Sequence, residues 1–292
     1  MLRQTSAAGE SLWCLEEVMP VPALPSVPDP VDFDDYWAGV TTELHRTEVA
    51  PEVELLPLRS SAEVHVYAAR FTSIGPYRLF AYYAFPTSRD AGEGPRGVEV
   101  QLPGYSSVVT VPVGSLERRW SGRRAVLRLC HRGQRLSDQP YAAAYPGLLT
   151  DGIQSPHTYV WRGIVADACR AVDFVLSRPP DEVDHSDVQV TGNDLALFVA
   201  ALRGEALARV QASVGLFYRL AEVLPKAPDY PLEEFNDYLR TYPDQAADVA
   251  RTLGYFDPIA AARRARCAVD VGSDDFLAPL RKSLGDRLAA AT

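Results

Sequence analysis

Apolar and polar residues alternate along four successive segments in the first third of the chain. These segments cover residues 52–58, 63–71, 77–85 and 97–102, and they are rich in aromatic and β-branched residues. A period of two is typical of strands that bury one face. The pattern therefore predicts a sheet that begins with antiparallel strands.

Beyond residue 124 the pattern changes to short apolar runs that alternate with segments of helical spacing. This alternation is typical of α/β proteins with a doubly wound, mostly parallel sheet. The sequence therefore predicts an α/β fold. Helices are predicted over residues 32–47, 158–176 and 194–202, and strands over residues 125–130, 188–190, 209–214 and 267–271.

Two segments differ from this pattern. Residues 17–32 hold five prolines, which cannot donate ladder hydrogen bonds, so residues 1–32 are predicted to form an extended N-terminal arm. Residues 218–256 have a helical pattern rich in aromatics, and we interpret them as an inserted cap. Those aromatics either pack the cap onto the body or stack on a substrate. Residues 33–292 are then expected to form a single α/β domain.

Composition narrows the classes of function. Of the 292 residues 47% are hydrophobic, and the formal net charge is −9. An acidic chain does not favour a phosphate backbone, so no nucleic-acid partner is expected. No secretion signal and no apolar run of the roughly 18 residues that span a membrane is present, so we expect a soluble, cytoplasmic protein without a membrane partner. The four cysteines form no CxxC pair, which predicts buried free thiols.

The most informative motif is a short strand, a sharp turn and a helix start at residues 188–196. It has the form of a nucleophile elbow in which Asp194 takes the place of the serine. Hydrolases with this elbow run in the order nucleophile, acid, histidine, whereas all five histidines of this chain precede Asp194. The sequence therefore predicts that no ordinary catalytic triad is assembled.

Five segments together resemble the acetyl xylan esterase and cephalosporin C deacetylase family of α/β hydrolases. The resemblance spans roughly residues 17–279, in the family's order. It implies an α/β-hydrolase fold that is truncated at the C-terminus, because the family's catalytic histidine follows one further strand that is not reached before Thr292. The segments that carry the resemblance are Leu102-Pro103-Gly104-Tyr105, Arg132-Gly133-Gln134, residues 157–162, Val190-Thr191-Gly192 and residues 252–257.

The resemblance also implies roles for particular residues. It places the triad acid at Asp275, after the final strand, and the serine at Asp194. It places the oxyanion donors at the backbone amides of Tyr105 and Leu195. The turn of the elbow either forms part of an anion-stabilising pocket or only packs the helix against the sheet.

Three side chains have open interpretations. Asp194 has three interpretations. It is a nucleophile, although no histidine is in the usual place to activate the water that would hydrolyse its ester intermediate; it is a general base; or it is a structural residue at a helix start. His131 follows a strand end and precedes the Arg-Gly-Gln segment, so it is a second candidate base or a structural hydrogen bonder. Arg132 either pairs with a buried acid such as Asp167, which is the interpretation we favour, or binds substrate.

Our leading hypothesis is a lyase step on an acylated, O-acetylated small molecule. Asp194 or His131 would remove a proton next to a carbonyl, and acetate would leave without a nucleophile, as in the tailoring of a secondary metabolite. The alternatives are a non-catalytic binding or assembly protein and a residual ester hydrolase that uses an unexpected residue. No metal-ligand spacing, phosphate loop or dinucleotide fingerprint occurs, so no metal or cofactor is expected. The resemblance is compatible with assembly into a homo-oligomer.

Overall fold

A computed structural model of the protein describes most of the chain. The described residues are 23–25, 27–87, 95–105, 107–112, 124–134, 136–137, 143, 145–213, 215–224, 229–273 and 278–290.

The described strands form one mixed sheet. They are β1 (Glu52–Leu55), β2 (Val64–Ser73), β3 (Tyr77–Pro86), β4 (Arg96–Gln101), β5 (Ala125–Cys130), β6 (Val183–Gly192), β7 (Arg209–Ala212) and β8 (Val269–Val271), in the spatial order β1-β2-β3-β5-β4-β6-β7-β8. The strands β1, β2, β3 and β5 pair antiparallel, and β5, β4, β6, β7 and β8 pair parallel. The predicted antiparallel entry into a parallel region is confirmed.

Eight α-helices lie within the described part of the chain. They are α1 (Phe33–Arg46), α2 (Val160–Leu176), α3 (Asp194–Arg203), α4 (Leu220–Val223), α5 (Glu233–Thr241), α6 (Ala246–Gly254), α7 (Pro258–Ala262) and α8 (Ala278–Ala290). Helices α4, α5 and α6 lie in the segment that was predicted to form a cap. The predicted division of the chain into an N-terminal arm and one α/β domain stays a prediction. None of the described helices combines the length and the apolar character that crossing a bilayer requires.

Strand β6 differs most from its prediction. The short apolar run at residues 188–190 is only its second half, because the strand begins at Val183. The added residues are mainly polar and give no strand pattern, yet their backbone pairs with β4, where Val183 lies opposite Arg96 and the register then shifts. Strand β1, by contrast, is shorter than predicted, since Pro57 begins a 3-10 turn over Pro57–Arg59.

The parallel strands present two different faces. Their apolar side chains share one core with residues of α1, α2, α3 and α7, and this core includes Val98, Val100, Leu127, Val190 and Val210. The side chains between them on the strands are polar and half-buried or exposed, namely Glu99, Gln101, Gln189, Thr191 and Gln211. Because side chains alternate along a strand, these polar groups line the opposite face of the sheet.

Three cysteines confirm the prediction of buried free thiols. Cys130, Cys169 and Cys267 are buried and form no disulfide, while Cys14 lies outside the described residues. Burial raises the pKa of the Cys130 and Cys169 thiols to about 12. These thiols are therefore protonated at neutral pH and behave as small apolar side chains.

Candidate functional site

A cleft of about 660 Å³ lies at the carboxyl ends of β4, β6 and β7. This edge of an open α/β sheet is where ligands bind, and the volume suits a small molecule. The cleft is built from strand ends and the turns that follow them. Its walls include Gln101, Gly104, Thr191, Asn193, Gln211 and Ser213.

Two residues that line the cleft, Gln101 and Thr191, belong to a hydrogen-bond network on the polar face of the sheet. Glu99 accepts bonds of 3.0 Å from Nε2 of Gln101 and from Oγ1 of Thr191. Gln101 in turn accepts a bond of 2.6 Å from Nε of Arg128. Because these bonds fix the side chains, Gln101 and Thr191 present polar groups in defined orientations.

The elbow between β6 and α3 is less strained than a nucleophile elbow. A Cβ on Gly192 would lie 2.9 Å from Cβ of Leu102, so a close approach explains the glycine. Asn193 follows with φ −104° and ψ −141°, and Asp194 is the first residue of α3. Among the described non-glycine residues, positive φ occurs only at Ala50, Leu136 and Arg219. The turn therefore does not hold the sharp, strained geometry that exposes a serine nucleophile.

The carboxylate of Asp194 is buried against a main-chain loop. The residue is 3% exposed, Oδ1 accepts a bond of 3.0 Å from the Gly215 amide, and Oδ2 accepts one of 2.8 Å from the Phe217 amide. Burial raises its pKa to about 6, although the two amides oppose this rise. The carboxylate therefore binds the backbone of residues 215–217, whereas its neighbour Asn193 borders the cleft.

One of the two implied oxyanion donors is already engaged. The amide of Leu195 donates to Oδ1 of Asn193 over 3.3 Å, an ordinary N-cap interaction. A Cβ on Gly104 would lie 3.8 Å from Nδ2 of the same Asn193 side chain. The carboxamide of Asn193 therefore sits between the two segments that the resemblance assigns to the oxyanion hole.

Tyr105, which supplies the other implied donor, ties the cap to the body. Its hydroxyl donates to Oε1 of Glu234 in α5 over 2.7 Å, and Oε2 of Glu234 accepts a bond of 2.9 Å from the Leu149 amide. Burial and the neighbouring carboxylate raise the pKa of the Tyr105 phenol far above its usual range. The contact with Glu234 was not predicted, because a glutamate on a helix is usually solvent-exposed.

His131 is buried directly after β5. Its Nδ1 lies 2.7 Å from the carbonyl oxygen of Arg132, and its backbone amide donates to Oε1 of Gln134 over 3.2 Å. Burial lowers the pKa of the imidazole, which keeps the ring neutral. His131 is thus fixed in one orientation, as an oriented base or a structural residue would be.

Arg132 forms the buried ion pair that the sequence predicted. Its Nε and Nη2 donate to Oδ2 and Oδ1 of Asp167 over 2.9 and 2.7 Å. The Arg132 backbone amide donates to Asp167 as well, and Asp167 is fully buried. A guanidinium that binds both oxygens of one carboxylate is held rigidly. The pair therefore anchors the segment that carries His131 to helix α2.

Trp161 in α2 brings the predicted site residues together. Its ring lies 6.4 Å from Tyr105 in a stacked arrangement and 6.5 Å from His131. It also meets Phe217 edge-on at 4.6 Å, and the Phe217 amide binds Asp194. Trp161 belongs to one of the segments that carry the family resemblance, but the sequence pattern gave it no role in the site.

Two further expectations concern the site. Asp275 lies outside the described residues, so its role as the triad acid stays a prediction. Within the described ranges, no three histidine, cysteine, aspartate or glutamate side chains are grouped so as to hold a metal ion.

Comparison with models of protein families identifies the family of this chain. The family model for acetyl xylan esterase (AXE1) matches residues 18–279. The chain belongs to the acetyl xylan esterase family. Acetyl esterase Axe7A from Xylanibacter ruminicola is 23% identical over 270 residues, which cover 87% of this chain. The aligned region spans only 59% of that relative's length.

Solved structures of the family show the same fold. The acetyl xylan esterase from Paenibacillus sp. R4 is 24% identical, with a TM-score of 0.76, and 90% of this chain is matched to 86% of that one. Acetyl xylan esterase 1 from Thermoanaerobacterium sp. JW/SL YS485 is 22% identical, with a TM-score of 0.73 and the same coverage of both chains. The predicted α/β-hydrolase fold is confirmed.

Proposed function

We propose that this member of the acetyl xylan esterase family binds a small O-acetylated molecule in the cleft and does not form an acyl-enzyme at position 194. Membership of the family supports the acetylated ligand, and the volume of the cleft, about 660 Å³, suits a small molecule. The polar groups on its walls suit a ligand that carries hydroxyl or carbonyl groups.

The arrangement of Asp194 carries this proposal. A nucleophile must reach the acyl carbon, but both oxygens of this carboxylate are held by the amides of Gly215 and Phe217. Asn193, by contrast, borders the cleft and uses only Oδ1 in capping α3. Its Nδ2 is therefore suited to donate to the carbonyl of an acetyl group.

Elimination of acetate is a second candidate, favoured by one observation. The pKa of Asp194 is raised to about 6, a value suited to a general base near neutral pH. In this reaction a C–H bond next to a carbonyl breaks and its proton passes to the carboxylate. The electron pair then forms a C=C bond, and the C–O bond breaks as acetate leaves. This route requires the loop at residues 215–217 to release the carboxylate.

The test is incubation with a panel of acetylated small molecules in ¹⁸O-labelled water, combined with calorimetric binding measurements. The proposal expects binding without acetate release, and Asn193→Ala should weaken binding while the exposed control Thr42→Ala does not. Release of unlabelled acetate would contradict the proposal and would show that the protein eliminates acetate. Release of labelled acetate would show hydrolysis, and the absence of any binding would contradict all three functions.

A further inference from the structure

Two buried ring nitrogens on neighbouring side chains have no hydrogen-bond partner among the described residues. They are Nε2 of His131 and Nε1 of Trp161. His131 is 1% exposed and Trp161 is 3% exposed. The two ring centroids lie 6.5 Å apart. Buried polar atoms are almost always bonded, since each one left unbonded costs about 1–3 kcal/mol. Two such atoms on neighbouring rings indicate a binding position for a polar group.

The chemistry of the two nitrogens is complementary. Because a carbonyl oxygen only accepts hydrogen bonds, the contact of Nδ1 with the Arg132 carbonyl places the ring proton on Nδ1. Nε2 of the neutral His131 ring then presents a lone pair. The indole Nε1 of Trp161 can only donate. The pair therefore offers one acceptor and one donor.

We propose that Nε2 of His131 and Nε1 of Trp161 together bind one hydroxyl group. Its O–H donates to the imidazole, and its oxygen accepts from the indole. A carboxylate or an ester carbonyl cannot donate, and an ammonium group cannot accept, so neither satisfies both nitrogens. One oxygen at ordinary hydrogen-bond lengths bridges nitrogens up to about 6 Å apart, and the two ring centroids lie 6.5 Å apart.

Trp161 packs against a segment that continues from the wall of the cleft. Its ring stacks on Tyr105, which directly follows Gly104 in the cleft wall. The hydroxyl belongs either to a ligand alcohol or to a water molecule. Assigning the hydroxyl to a ligand alcohol rests on the proposed function, whereas assigning it to a water molecule does not. The ring of Phe217 packs edge-on against Trp161, and the Phe217 backbone amide donates to Asp194.

Nuclear magnetic resonance of the ¹⁵N-labelled wild-type protein tests the site. The protein has four indole and five imidazole groups, and the variants Trp161→Phe and His131→Gln assign the two signals of interest. The probes are glycerol monoacetate, which carries hydroxyl groups, and methyl acetate, which carries none. If the hydroxyl comes from the ligand, only glycerol monoacetate shifts both signals. If it comes from water, the Trp161 indole proton shows cross-relaxation with water without any probe.

Trp37 is the matched control, because its buried indole donates to the Tyr255 carbonyl over 3.1 Å. Its signal should neither shift nor show contact with water. Absence of both water contact and probe-dependent shifts at Trp161, or a proton on Nε2 of His131, would overturn the hydroxyl site. If glycerol monoacetate binds by calorimetry without either effect, only the hydroxyl site fails. If no acetylated probe binds but water contact is seen, the site stands and the proposed function fails.

Discussion

Asp194 accepts a hydrogen bond of 2.8 Å from the backbone amide of Phe217, which lies 23 residues further along the chain. The residue at the nucleophile position thus fastens a loop to the start of α3. The same loop carries the ring that packs on Trp161. A change at position 194 is therefore expected to alter both the stability of the loop and the surroundings of His131.

The loop leaves no room for a side chain at residue 215. A Cβ on Gly215 would lie 2.4 Å from Oδ2 of Asp194, so we expect Gly215→Ala to lower the free energy of unfolding by about 1–3 kcal/mol through overpacking. Chemical denaturation measures this. Gly39→Ala is the matched control, since open space surrounds Gly39 within α1 and the change should stabilise the helix by up to about 1 kcal/mol. Equal effects at both glycines would contradict the packing described for Asp194.

The raised pKa of Asp194 predicts a pH dependence of stability. Its folded-state pKa of about 6 exceeds the ordinary value of 3.8, so the folded state favours the protonated form. This contribution is fully present below about pH 4 and is lost as the pH rises through about 6. Relative to Asp194→Asn, the wild type should lose on the order of 3 kcal/mol across this window. Parallel stability curves for the two proteins from pH 4 to pH 8 would show that residue 194 has an ordinary pKa.

The hydroxyl of Tyr105 stabilises the cap through Glu234. Tyr105→Phe leaves the buried carboxylate with one bond fewer, and we expect a loss of about 1–3 kcal/mol in the free energy of unfolding. Tyr145, which is 75% exposed, provides the control, and Tyr145→Phe should change stability by less than about 0.5 kcal/mol. No difference between the two variants would show that the bond to Glu234 adds nothing to stability.

The Arg132–Asp167 pair should be far more important for stability than an exposed pair. Arg132→Met leaves a fully buried carboxylate unpaired, which typically costs about 3–5 kcal/mol. Arg266→Met removes an ion pair whose side chains are 60% and 78% exposed, and the expected cost is below about 1 kcal/mol. Comparable losses in thermal unfolding would mean that the buried pair does not anchor the segment of His131.

Local patterns predicted the main helices and the core of most strands, because periodicity is a property of neighbouring residues. The pairing of Arg132 with Asp167 is a contact between residues 35 apart, and it was predicted from their opposite charges. The partners of Asp194 could not be predicted. They are backbone amides of a distant loop, and a main-chain donor has no signature in the sequence. Asn193 was missed for a similar reason, since capping of a helix and lining of a cleft both need the folded turn. Trp161 has the spacing of an ordinary core residue, and only the packing shows that it touches both Tyr105 and His131.

The central claim is that this protein does not hydrolyse esters through a nucleophile at residue 194 or through an activated serine. Steady-state hydrolysis of p-nitrophenyl acetate by the wild type and by Asp194→Ala tests it most directly, with and without a serine-directed fluorophosphonate. The account predicts that neither protein exceeds the uncatalysed rate and that the fluorophosphonate has no effect. Rapid turnover by the wild type that is lost in Asp194→Ala, or that the fluorophosphonate blocks, would contradict it.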